Sequence, residues 1–212
     1  MRKSLPFILI AVALAASLWT WPRLPDTLPT HWDSSGRVDG TSSKPFALFL
    51  IPSIAAAVAV ALRLLPGIDP RQANYEKFRS SYDLMVTLTV ATLVAIHLAT
   101  IASALGWPIP VTKVVAASVG VLLVAIGNFL PRARPNFFFG IRTPWTLSSD
   151  SVWMRTHRVG GYALVAGGLL QIVVALVGES AAGIWPVAII LAISIGLVAY
   201  SYLLWRREHH PS

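Results

Sequence analysis

The 212-residue chain contains no cysteine. Disulfides, thiolate nucleophiles and cysteine metal sites are therefore excluded, and cysteine usage gives no reading of the compartment. Charge is scarce as well, at 12% of residues against roughly 25% in soluble domains. Only nine residues are acidic, and none falls inside a long apolar run. A membrane enzyme working by paired carboxylates, or a transporter with a buried coupling carboxylate, would need acids at that depth. What the chain does have is apolar: 55% of its residues are hydrophobic, which makes it an integral membrane protein.

Six apolar runs are visible, Leu5 to Trp21, Phe46 to Leu65, Leu84 to Gly106, Val111 to Leu130, Gly160 to Gly178 and Ile184 to Trp205. Each approaches the ~20 residues that a helix needs to cross the bilayer core. With the N-terminus placed in the cytoplasm, all but four of the 17 lysines and arginines fall on that side, the exceptions being Arg23, Arg37, Lys44 and Lys113. The positive-inside rule then predicts both termini inside. Arg2, Lys3 and the apolar residues after them also fit a secretory signal peptide, a reading that would leave five spans. The expected fold is an all-α six-helix membrane bundle with an ordered outer loop over 22–45 and an interfacial inner hairpin and helix over 131–159. Its expected units are an N-terminal module at 1–65, a cytoplasmic loop at 66–83 and a C-terminal module at 84–212.

The outer loop combines Pro25 and Pro29, which favour extended backbone, with Gly36 and Gly40, which permit turns. Asp33, Ser35 and Asp39 resemble a calcium loop only superficially, because the twelfth-position glutamate is missing. A turn held by aspartate side chains is the preferred reading, and His31 with Asp33 or Asp39 has no convincing third zinc ligand. The 66–83 loop, with Tyr75 and Phe78 among its charges, predicts a short amphipathic helix at the interface, its basic residues facing headgroups.

In the second inner loop, prolines 131 and 135 end a span, and Ser148 or Ser149 can cap a helix whose first turn holds Asp150. Trp153 and His157 share one face of that helix. Two readings stay open: an interfacial hairpin anchored by Phe137, Phe138, Phe139 and Trp145, or a receptor surface for a cytoplasmic protein or lipid headgroup. The second gives contact roles to Asn136, Gly140, Arg142, Thr143, Pro144, Trp145, Trp153, Arg155, His157 and Arg158. Within the spans, His97 is expected neutral and hydrogen-bonded to a neighbouring helix, with Gln171 as a candidate partner. Ala116 with Gly120, and Gly160 with Gly167, offer small surfaces for close helix packing.

Two segments carry a family resemblance. The run from Leu24 to Gly40, Leu-Pro-x-x-Leu-Pro-x-His-Trp-x-x-x-Gly-x-x-Asp-Gly, resembles the N-terminal module of the SdpI family. Gly127-Asn128, Pro131, Asn136 to Leu147 and Val152 to Gly161 resemble that family's second signature. The resemblance implies a non-catalytic immunity and signalling protein of the bacterial plasma membrane, with no cofactor and no direct nucleic-acid contact. Its implied partners are membrane lipids, a secreted toxic peptide facing His31, Trp32, Asp33, Gly36 and Asp39, and a cytoplasmic transcriptional repressor facing the inner loops. Transport or efflux of a peptide or small molecule, and membrane-embedded catalysis, are the rival classes.

Overall fold

The computed structural model describes residues 3–33, 35–177 and 185–209. Arg2, Ser34, Gly178 and Ile184, which entered the charge count, the outer turn and the ends of the last two runs, lie outside the described residues.

The elements in chain order are α1 (Leu5–Thr20), β1 (Thr27–Trp32), β2 (Val38–Ser43), α2 (Lys44–Ile68), α3 (Ala73–Glu76), α4 (Arg79–Ala104), α5 (Val111–Phe129), α6 (Pro144–Ser148), α7 (Asp150–Val177) and α8 (Trp185–His209). Six of the described helices are long and apolar enough to span a membrane, so the chain is a multi-pass membrane protein. Residues pointing away from the bundle are large and apolar, for example Leu18, Leu64, Tyr162, Leu176 and Ile195. In lipid such a face carries no hydrophobic cost.

The helices pack in two groups, α1 with α2 and α4, and α7 with α5 and α8, joined where α4 meets α5. In the first group Ile10, Ala13, Ala55, Ala59, Val90 and Val94 form an apolar seam. Beside it His97, fully buried on α4, meets the Ser17 hydroxyl of α1 at 2.9 Å. Ser17 also lies 2.8 Å from the Leu48 carbonyl of α2 and 3.1 Å from the Ala13 carbonyl. Its single proton goes to a carbonyl, so His97 donates from Nε2 to Ser17 and keeps Nδ1 as a bare acceptor. That tautomer leaves no buried N–H without a partner, consistent with the absence of a bond at Nδ1. The sequence expectation of a neutral, hydrogen-bonded histidine fits, but the partner is Ser17. Gln171 on α7 is fully buried, and its amide has no hydrogen-bond partner among the described residues.

In the second group glycines let two backbones touch. A Cβ at Gly120 or Gly127 on α5 would sit 2.8 or 2.6 Å from the carbonyls of Gly168 and Gly161 on α7, and the converse approaches are equally close. Ala116 and Ala175 continue the seam. The stripe on α7 is thus Gly161 and Gly168, one residue on from the expected Gly160 and Gly167. Those two face other neighbours: Gly160 lies against Ile141, Leu130 and Leu197, and Gly167 against Ile189 and Ile193 of α8.

Three local expectations are corrected. The outer loop is a two-stranded antiparallel hairpin, because its prolines favour extended backbone and Asp33 with Gly36 makes the turn. The fold is therefore not purely helical. The expected 66–83 loop shrinks to 69–78 between α2 and α4, with a helix of only four residues in it, and its aromatics turn inward: Tyr75 is 3% and Phe78 4% exposed. The segment 133–143 is an irregular, inward-tied loop followed by α6, with no inner hairpin. The predicted helix after it is present, and Ser149 Oγ accepts the Val152 N–H at 3.3 Å.

Candidate functional site

The outer hairpin sorts its five candidate residues into two jobs. Asp33 and Gly36 build the turn. Asp33 Oδ1 accepts from the Ser35 N–H at 2.9 Å, the Ser35 hydroxyl at 2.6 Å and the Arg37 N–H at 3.0 Å, while Oδ2 meets Arg37 Nε at 3.2 Å. The Ser35 hydroxyl first, then the Arg37 N–H, pulls the Asp33 carboxyl down to about 2, because these donors favour the charged form. Gly36 takes a φ of +81°, and a Cβ there would lie 3.4 Å from Thr112 Oγ1, so the turn rests over the start of α5.

The remaining three residues present a surface. His31 Nδ1 and Asp39 Oδ1 pair across the strands at 2.5 Å, with side chains 72% and 44% exposed. Gly40, opposite His31 in the register, makes room for the ring, since a Cβ there would be 3.0 Å from the His31 Cβ. Trp32 is half-buried opposite Val38. The base of the hairpin is anchored by Leu24 and Leu28, packed with Ala47, Leu48 and Ile101 of α2 and α4. With Asp33 spent on the turn, no cluster of three or more metal-ligating His, Asp or Glu side chains forms among the described residues.

At the opposite end of the bundle the signature loop is tied down by polar groups. Asn136, fully buried, accepts at Oδ1 from the N–H groups of Phe138 (3.0 Å) and Phe139 (2.6 Å) and donates from Nδ2 to the Arg134 carbonyl at 2.8 Å. Beside it Asp69, 3% exposed, accepts from the Arg71 N–H (2.7 Å), the Phe137 N–H (2.9 Å) and the Tyr75 hydroxyl (3.0 Å). The Tyr75 hydroxyl lies equally close to Asn136 Oδ1. A buried carboxylate is tolerable only with such a donor set. Burial first, then the bond to Asp69, pushes the Tyr75 phenol well above its usual range. Asn74 adds a bond from Nδ2 to the Pro135 carbonyl at 2.8 Å. The Phe139 ring closes an aromatic cluster with Phe78 at 6.0 Å and Tyr82 at 5.7 Å.

The other half of the loop is fixed to α7. His157 Nε2 accepts the Ile141 N–H at 3.0 Å, and Nδ1 lies 2.9 Å from the Trp153 carbonyl. A backbone N–H can only donate, so Nε2 is the acceptor and Nδ1 carries the proton. Trp153 stacks on His157 at 3.9 Å and donates from Nε1 to the Ala133 carbonyl at 3.0 Å. Gly140, at a φ of +111°, passes so close that a Cβ would sit 2.3 Å from His157 Nε2. Thr143 and Thr146 form a capping box at the start of α6, where Pro144 takes the first helical position, and Thr143 Oγ1 reaches Ser201 on α8 at 3.0 Å.

The ten inner candidates therefore divide. Asn136, Thr143, Trp153 and His157 are buried and Gly140 is half-buried, so these hold the loop's shape and do not present an outer contact face. Arg142, Pro144, Arg155 and Arg158 are exposed, and Trp145 is half-buried with its ring 5.1 Å from that of Tyr202. Arg142 braces the loop by donating to the Phe137 carbonyl at 2.8 Å. Sequence reasoning missed Asp69, Asn74 and Tyr75, the residues that receive the signature loop. No local signal singled out Asp69, one of three acids in that loop against three bases, because its burial depends on a partner 68 positions away.

A six-span bundle with an ordered hairpin at one end and a polar-tied loop at the other defines a multi-pass membrane protein whose distinctive chemistry lies at its ends. The SdpI/YfhL protein family matches residues 132–203, and a domain of unknown function matches residues 8–56. The chain is 26% identical over 205 residues to the immunity protein SdpI of Bacillus subtilis strain 168, covering 95% of this chain and 96% of that protein. These matches make the chain similar to the SdpI family, by model over 132–203 and by identity along nearly its whole length. No solved structure matches it.

Proposed function

We propose that the chain is a non-catalytic immunity protein of the bacterial plasma membrane that protects its cell from a membrane-active toxic peptide. The observation that carries this reading is similarity along nearly the whole chain to a protein named for immunity. In the proposal the exposed His31 and Asp39 pair, with Trp32 beside it, meets the peptide outside. The exposed Arg142, Arg155 and Arg158 with Trp145 meet a cytoplasmic repressor inside, held in register by the buried Asn136, Trp153 and His157. The hairpin tip at Gly36 touches Thr112 at the head of α5, and the tight α5 and α7 seam ends where Gly161 meets Pro131 at the signature loop. That continuous path is a physical means for the two ends to bias one another.

The test is survival. Expressed in a toxin-sensitive bacterium and challenged with a panel of membrane-active peptides, the chain should protect against at least one peptide relative to empty vector. His31→Ala and Asp39→Ala should weaken that protection at matched membrane abundance. No protection against any peptide at full abundance would contradict the reading.

A further inference from the structure

At the same end of the bundle as the signature loop, but lined by none of the residues assigned to the proposed immunity surface, a cleft of about 180 Å³ opens between α1, α2 and α4, lined by Lys3, Arg63, Pro66, Arg79, Asp83 and Val86 with Tyr75 and Tyr82. Its polar balance is cationic, three bases against one carboxylate. Arg79 is already paired with Glu76. Lys3 and Arg63 have no carboxylate partner among the described residues, Arg63 being laid over the Phe7 ring at 4.9 Å. Both tyrosine hydroxyls are committed, Tyr75 to Asp69 or Asn136 and Tyr82 to the Leu62 carbonyl at 2.5 Å. The donors left for a ligand are therefore an ammonium and a guanidinium, which select an anion.

Place identifies the anion's source. Lys3 precedes the first turn of α1, Arg63 lies in the last turns of α2, and Arg79 and Asp83 occupy the first turns of α4, so the cleft sits at one end of three membrane-spanning helices. The chain neighbours of its lining residues are outward apolar side chains: Leu5, Leu64, Ile68 and Leu84 are 43%, 64%, 68% and 38% exposed. A ligand with a phosphate in the cleft and hydrocarbon running along those residues satisfies both surfaces. We infer that this cleft binds the headgroup phosphate of an anionic phospholipid, with Lys3 and Arg63 as its direct ligands.

The experiment is native mass spectrometry of the full-length protein, loaded with dioleoyl phosphatidylglycerol or dioleoyl phosphatidylcholine and checked as monodisperse beforehand. The glycerol lipid should be retained in preference to the choline lipid. Lys3→Gln and Arg63→Gln should each cut its retention by about fivefold, the equivalent of about 1 kcal/mol per basic residue near anionic lipid. Arg63→Lys should keep most of it. Lys3→Gln does not threaten folding, because Lys3 is exposed and precedes the first helix. Equal retention of the two lipids, or unchanged retention in both glutamine variants, overturns the inference. Displacement of lipid by water-soluble glycerol phosphate at equal concentration would reassign the cleft to a free phosphate compound. Stoichiometric capture of a polyglutamate peptide that phosphatidylglycerol cannot displace would reassign it to an acidic protein partner; either result also overturns the lipid assignment.

Discussion

Asp69 is the residue on which the inner loop's shape most depends. Its carboxylate collects donors from Arg71, Tyr75 and Phe137, so one side chain ties the loop after α2 to the signature loop. Asp69→Ala leaves the Arg71 and Phe137 N–H groups with no acceptor, while the Tyr75 hydroxyl keeps Asn136 Oδ1; a buried orphan costs about 1–3 kcal/mol. The variant should lose thermal stability in detergent, and protease cleavage within 133–143 should accelerate; an unchanged melting temperature and cleavage rate would show that the knot is not structural. Asp33 makes a different case because it lies half-buried at the surface of the hairpin. The Ser35 and Arg37 donors hold its carboxyl at about 2 in the folded turn, below the usual 3.8 of an aspartate. A depressed carboxyl stabilises the turn fully above its unfolded pKa, and the contribution fades as pH falls from about 4 through about 2. NMR of the Ser35 and Arg37 amides should report loss of their bonds in that window, and amide shifts constant from pH 5 to 1.5 would contradict the assignment.

Among the elements, the α5 and α7 pair is the most closely packed, because Gly120, Gly127, Gly161 and Gly168 bring backbone against backbone. Gly161→Ala would place a methyl 2.7 Å from the Gly127 carbonyl and 2.8 Å from the Pro131 ring. Overpacking of this kind costs about 1–3 kcal/mol, so the variant should unfold earlier in a detergent melt while Gly196→Ala, which meets nothing within 4 Å, should not. Equal melting of both variants would remove the seam as a constraint. The spans themselves were legible in the sequence because hydropathy and length act locally. The start of α4 at Arg79 rather than Leu84 was not, since hydropathy stops at charged residues while backbone hydrogen bonding continues through them. Choosing Gly161 over Gly160 required the rotation of α7 about its axis, which is a tertiary fact. The outer hairpin was legible as ordered, from its prolines and glycines, but its pairing register came only with the fold. The candidate site was legible in its residue types and misread in their facing. Trp153 and His157 share one face as predicted, and that face turns inward because the Ala133 carbonyl and the Ile141 N–H occupy it.

For the whole molecule, the hairpin and the signature loop lie at opposite ends of the same bundle, and the functional proposal needs those ends on opposite sides of the membrane. In the proposal the hairpin lies outside, as the positive-inside rule expects of a chain with all but four of its 17 basic residues on the other side. The division of labour between a peptide-reading hairpin and a partner-facing loop stands or falls with this arrangement. Because the chain has no cysteine, single cysteines introduced at the exposed positions Thr41, Ser80 and Ser148 give clean reporters. In sealed intact cells a membrane-impermeant thiol reagent should label Thr41→Cys alone, and all three variants should label after the membrane is opened. Labelling of Ser80→Cys or Ser148→Cys in sealed cells, or protection of Thr41→Cys there, would contradict the account.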